Sequence, residues 1–200
     1  MKPTISARFL MAAALLVSAA GVSTAVASTK TPIAGPNAGP NVGPMTDADL
    51  AKQVRHEILM YSRFSIWDDV SFRVADGSVE LMGAVNQPYK KSDLGRIVQR
   101  IPGVASVTNE LKVLPLSNND DRLRMQVARA IYGDTVLSRY RLMAVPPIHI
   151  IVDNGHVTLT GVVNNALEKQ VAGMRAAGAG LSFGPVTNNL EVENPPAKKG

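Results

Sequence analysis

Part of this chain is written twice, and that constrains the fold more than any other feature. Asp76-Gly-Ser-Val-Glu-Leu-Met-Gly-Ala-Val85 returns 78 positions later as Asn154-Gly-His-Val-Thr-Leu-Thr-Gly-Val-Val163. Val107-Thr-Asn-Glu-Leu-Lys-Val113 returns 79 positions later as Val186-Thr-Asn-Asn-Leu-Glu-Val192. Upstream, Leu50, Val54 and Ile58 match Leu123, Val127 and Ile131 at an offset of 73, so the second copy carries five extra residues between its first helix and its first strand. A chain of 200 residues built this way is expected to form two tandem domains, 46–114 and 118–193, joined at 115–117.

Each copy reads in the same order. A first helix opens at Thr46, or at Asn119 or Asp120, and carries an apolar stripe at helical spacing. In the first copy Asp47 and Asp49 lie in its first turn, where negative charge suits the helix dipole. Val70, Phe72 and Val74 then alternate with polar residues up to Asp76-Gly77, a pair suited to a two-residue hairpin turn. That turn sets Val74 opposite Val79 and Arg73 opposite Glu80, with apolar residues on one face and a cross-strand ion pair on the other. Around Asn154-Gly155 the same register sets His149 opposite Thr160 and Asp153 opposite His156. A second helix is predicted at 88–101, burying Leu94, Ile97, Val98 and Ile101. Its counterpart at 166–177 is predicted to bury Leu167, Val171 and Met174. A last strand at 107–113 or 186–192 completes an α-β-β-α-β unit. The fold class is therefore α+β, each unit a three-stranded sheet with two helices on one face.

The segment before the repeats reads as an address. Lys2 and Arg8 precede an apolar run at 9–20, and Ala25-Val-Ala27 follows, the order of a secretory signal peptide cleaved after Ala27. The run is too short for the roughly 20 residues of a membrane-spanning helix. Residues 28–45, with their Gly-Pro-Asn repeats, are expected to form a flexible arm, and 194–200 a disordered basic tail. Removing the leader lowers the net charge from +5 to +3, which by itself implies no nucleic acid. The chain has no cysteine, which excludes disulfides, thiol nucleophiles, Cys-based zinc sites and Cys-anchored lipidation. His56, His149 and His156 are not spaced as a ligand set, and Asp68-Asp69 supplies too few ligands for a cation. No catalytic, cofactor or metal residues can be assembled, so no enzyme is expected.

The pattern resembles the BON domain, named for bacterial osmotic-stress and nodulation proteins, present here in tandem. The likeness rests on Leu-x3-Val-x3-Ile in the first helix, on Val74-x-Asp76-Gly77-x-Val79-x-Leu81-x-Gly83-x-Val85 and its second copy, and on Asn109-x-Leu111 and Asn188-x-Leu190. The second copy departs from the family's usual Pro-Gly-Val before its last strand, reading Leu181-Ser-Phe-Gly-Pro-Val186. The resemblance implies a periplasmic protein that supports envelope integrity or stress tolerance, acts by binding, and has no catalytic residues. The partners it implies are anionic phospholipid surfaces or envelope proteins, with no nucleic acid and no small-molecule substrate.

Two segments are candidates for that contact. The second helix of the first copy begins Tyr89-Lys90-Lys91 and later offers Arg96 and Arg100, with Lys90, Lys91 and Arg100 expected to be exposed. It is either a headgroup-facing patch or an ordinary solvated helix face. The longer loop of the second copy sets Arg139 and Arg141 around Tyr140, followed by Leu142, Met143 and Val145. Either it inserts beside phosphates, or Leu142 and Val145 fold back over the core. The alternative function is a chaperone or adaptor that binds polypeptide through a sheet face or by strand addition at an edge such as 107–113.

Overall fold

The computed structural model describes residues 5–7, 45–180 and 184–193. The rest of the expected leader, the Gly-Pro arm up to residue 44, the 194–200 tail and 181–183 lie outside the described residues. The first sheet contains β1 (Ile5–Ala7), β2 (Asp69–Ala75), β3 (Ser78–Val85), β4 (Ser106–Asn109) and β5 (Lys112–Val113). Helices α1 (Asp47–Met60) and α2 (Pro88–Gln99) contribute to its core. The second unit repeats this with α3 (Asn118–Tyr132), β6 (Ile148–Asp153), β7 (His156–Val163), α4 (Ala166–Ala177), β8 (Thr187–Asn188) and β9 (Glu191–Val192). Both units are α+β, with an antiparallel hairpin and a parallel final crossover.

The hairpins have the predicted register, including Arg73 opposite Glu80 at 3.0 Å and His149 opposite Thr160. Asp76 and Gly77 both take positive φ, as do Asn154 and Gly155, which is the backbone of a type I′ turn. The aspartates that open the first helices do more than suit a dipole. Asp47 accepts hydrogen bonds from the Asp76 and Gly77 amides, and Asp120 from the Asn154 and Gly155 amides, so each helix start holds its hairpin tip.

Three expectations are corrected. The final strand is two short strands in each unit, because Asn109 turns its side chain to the Leu111 amide and the Lys91 carbonyl, and Asn188 does the same with Leu190 and Lys169. Gly95 and Gly173 make room for this: a Cβ on either would lie 2.7 Å from the Asn Nδ2. In α4 the buried residues are Glu168, Ala172 and Ala176, while Leu167 and Met174 face solvent. The helix is turned by about one residue from the expected phase, and alanines face the core. Lastly, β1 adds an antiparallel strand to the outer edge of β2, with Ile5 opposite Val74.

The loop at 62–68 of the first unit reaches the second. Ile66 and Trp67 pack against the second core, and the Ile66 carbonyl accepts from the Ile150 amide at 2.7 Å. This explains why β6 is buried on both faces along almost its whole length, whereas β2 alternates. Lys112 and Asp153 form a further ion pair between the units.

Candidate functional site

The basic helix of the first unit is not the patch its sequence suggests. Lys90 was expected to be exposed, yet it is 4% accessible, and its Nζ lies 2.6 Å from Asp68 Oδ2 and 3.1 Å from Ser65 Oγ. Asp68 is wholly buried and also accepts from the Ser65 amide and hydroxyl and the Asn86 amide. Lys90, Leu94 and Val98 share one helical stripe at spacing four, and Lys90 reaches inward to the loop it braces. The cation beside Asp68 is therefore Lys90. Of the remaining candidates, Tyr89 is exposed with the Arg63 guanidinium 5.1 Å above its ring, Lys91 is half-buried, and Arg100 is exposed. Arg96 is tied to Asp93, which also accepts from the Tyr61 hydroxyl at 2.6 Å. That hydroxyl, followed by Arg96, holds the Asp93 carboxyl below its usual range.

In the second unit the equivalent brace has the opposite sign. Glu168 stands where Lys90 does and receives Arg139, the Tyr140 hydroxyl and the Asn164 amide. Burial pushes the Glu168 carboxyl up. The Tyr140 hydrogen bond, the Asn164 amide and the Arg139 charge outweigh this and hold it lowered. Burial raises the Tyr140 phenol, with Glu168 adding to the effect. Tyr140 is 3% accessible, so this candidate headgroup contact is a core residue, and Arg139 is committed to Glu168 and to the face of the Tyr140 ring.

That anchoring leaves the rest of the loop outside. Leu137 and Tyr140 fill the place over the core that Leu142 and Val145 were expected to take. Residues 141–145 are all exposed, with Leu142, Met143 and Val145 at 82, 52 and 40%. Arg141 shares a shallow groove with Arg129 of α3, beside Pro146. Arg129 was not singled out from sequence, because its neighbourhood with Arg141 exists only once the loop is folded. The structure thus separates the predicted basic residues, sets Arg141 in one groove with Arg129, and leaves the three apolar residues that follow Arg141 in the chain exposed.

Other positions have structural duties. Trp67 is a lid, but on the second unit's core rather than its own. His56 is exposed, as expected. His156 Nδ1 lies 3.2 Å from the Asn154 carbonyl rather than on Asp153, which binds Lys112. Gly83 and Gly161 both have φ of 110°, and a Cβ on either would strike a backbone carbonyl, that of Asp69 in β2 or of Pro147 just before β6. Among the described residues no helix is long and apolar enough to cross a membrane.

A family model described as the BON domain matches residues 46–115 and again 119–194. No curated protein matches the chain. Among solved structures it is similar to one described as structural studies of CdsD, a structural protein of the type III secretion system of Chlamydia trachomatis. That likeness has 19% identity over 74% of this chain and 93% of the other, with a TM-score of 0.26. The C-terminal domain of the same protein gives 18% identity over 72% and 97%, again at 0.26. At that TM-score neither likeness bears on function.

Proposed function

The chain belongs to the BON-domain family through both of its units, and from that premise we propose a non-enzymatic envelope protein that meets anionic phospholipid through the second unit's 141–145 loop. The observation that carries this reading is the exposure of Leu142, Met143 and Val145 in the stretch that follows Arg141, which shares a groove with Arg129. Apolar loop residues ordinarily pack when they can, and here the anchors Leu137 and Tyr140 already cover the core. Large apolar side chains gain about 1.5–3 kcal/mol each when fully buried, and a basic residue near an anionic surface about 1 kcal/mol. Partly inserted, the loop and two arginines supply on the order of 5 kcal/mol, a weak and reversible peripheral contact. Tyr89 and Arg100 are exposed and Lys91 half-buried on the first unit, and they contribute little to this contact.

The test is co-sedimentation with phosphatidylglycerol and phosphatidylcholine vesicles at low and physiological salt. The protein is expected to pellet only with the anionic vesicles, less so as salt rises. Leu142→Ser/Met143→Ser and Arg129→Glu/Arg141→Glu should each abolish this, while Lys91→Glu/Arg100→Glu reduces it only slightly. Absence of binding at low salt, or binding indifferent to the loop, overturns the reading. A second reading, polypeptide binding by strand addition, is favoured by the strand Ile5–Ala7 on the outer edge of β2, and would be nearly indifferent to salt.

A further inference from the structure

The two units face each other across a cleft of about 300 Å³ that no residue of the membrane-facing loop lines. Its walls contain three buried polar atoms that make no hydrogen bond within the protein: His149 Nδ1, Thr160 Oγ1 and Glu191 Oε2. Folded proteins rarely leave such groups without a partner, and three in one place call for an explanation. His149 is the most constrained of them. It is 8% accessible, and its ring tilts against Phe64 at 5.4 Å between centroids, with the backbone of Ser65 and Asp68 close by.

The chemistry of the walls selects a ligand class. Asp69 and Glu191 contribute two carboxylates, while the one guanidinium present, Arg73, is engaged by Glu80 at 3.0 Å. A neutral imidazole nitrogen without its proton accepts, and a threonine hydroxyl can accept as well, so acceptors without a donor are in excess, one of them on the Glu191 carboxylate. Phe64 and Met82 add an apolar stretch to the same walls. Among the described residues no three His, Asp or Glu side chains gather as ligands for a metal ion, so the complement is an organic cation.

We propose that this cleft binds a small aliphatic amine, whose N–H groups are received by Glu191, Thr160 and His149 and whose methylenes lie along Phe64 and Met82. At roughly 30 Å³ per water the cleft has the volume of about ten waters, enough for a diamine or a short polyamine. The site was not legible in the sequence because Asp69 and Glu191 come from different units and no local motif joins them. It is independent of the lipid reading, and a bound amine would also fasten one unit to the other.

The test is a titration of the full chain with 1,4-diaminobutane and spermidine, followed by amide chemical shifts, with 1,4-butanediol and matched sodium chloride as controls. Both amines should give saturable shifts confined to Phe64, His149, Thr160 and Glu191 and their neighbours. Losing a charge-assisted hydrogen bond should make Glu191→Gln bind about tenfold more weakly or worse. Thr160→Val, nearly isosteric, should weaken binding less while keeping the wild-type unfolding midpoint, and it decides the matter if Glu191→Gln unfolds. Shifts that do not saturate or are spread over the surface overturn the proposal. So does a diol that binds as well as the diamine, or a folded Glu191→Gln with unchanged affinity.

Discussion

Lys90→Met tests the brace that sets the first unit's loop. Its Nζ lies 2.6 Å from Asp68 Oδ2, with the two side chains 5 and 1% accessible. Methionine keeps most of the length and apolar contact of the lysine and removes the charge. Asp68 would retain the Ser65 amide and hydroxyl and the Asn86 amide but lose the Lys90 cation, at a place water does not reach. Removing one partner of a buried pair costs about 3–5 kcal/mol. The three remaining hydrogen bonds still solvate the carboxylate, which puts the expected loss near the bottom of that range, about 3 kcal/mol. The assay is urea unfolding followed by the emission of Trp67, the sole tryptophan and the neighbour of Asp68. With a slope near 2 kcal/mol per molar, the midpoint should fall by about 1.5 M. Asp68→Asn combined with Lys90→Met should be less harmful than the sum of the two, with a coupling of about 2 kcal/mol. A loss below about 1 kcal/mol without coupling would mean that solvent screens the pair, and the reasoning would be refuted. Lys90→Glu, an obvious probe of headgroup binding from sequence, would instead set two carboxylates together in the interior. Any loss of vesicle binding in that variant would report unfolding of the first unit.

Two further expectations follow from the second unit. Gly161→Ala should cost at least about 3 kcal/mol in denaturant unfolding, since φ is 110° and the new Cβ would lie 1.9 Å from the Pro147 carbonyl oxygen; a near-neutral result would show that the strand relaxes. Burial holds the His149 pKa below 6.5, against the opposing charge of Asp69, so the folded state binds this proton less readily than the unfolded state. Its contribution to stability is complete above 6.5 and is lost as pH falls from there toward the folded value. The unfolding free energy should therefore decline between about pH 7 and pH 5.5 by at most 1.4 kcal/mol per unit, and His149→Gln should flatten that limb. An unchanged slope in the variant would remove His149 as its cause.

What the sequence displayed was whatever depends on neighbours in the chain. The hairpin register follows from Asp76-Gly77 and the alternation around it, and α4 begins and ends where Asn165 and Gly178 cap it. Interactions between distant residues were hidden. Lys90 lay on the buried stripe by spacing, but residue type argued for solvent, and its partner Asp68 sits 22 positions back in a loop with no periodicity. The same preference for large apolar residues favoured Leu167 and Met174 over Ala172 and Ala176 in α4. In the long loop, Leu142 and Val145 were as plausible for the core as Leu137 and Tyr140. Glu168, which receives Tyr140, decides between them, and it is a residue no apolar pattern would select.

The two copies agree and disagree along a physical line. Positions that answer to the backbone are the same in kind: an aspartate on the hairpin amides, a glycine at φ 110°, and an asparagine facing a helical glycine. Those constraints come from geometry that a side chain of another shape cannot meet. The brace between the loop and the second helix obeys only complementarity, so Lys90 with Asp68 can be replaced by Glu168 with Arg139 and Tyr140, the sign inverted. Freedom to differ is therefore concentrated in the loop between the first helix and the first strand. The first unit's loop is occupied, with Ile66 and Trp67 seated on the second core. The corresponding loop of the second unit is five residues longer and exposes Leu142, Met143 and Val145. The two loops thus share a position in the repeat and differ in what covers their apolar side chains. Whether the second loop's exposed side chains are the ones that meet lipid is what the vesicle variants of Leu142 and Met143 test, since Ile66 and Trp67, their counterparts in the first unit, are already packed.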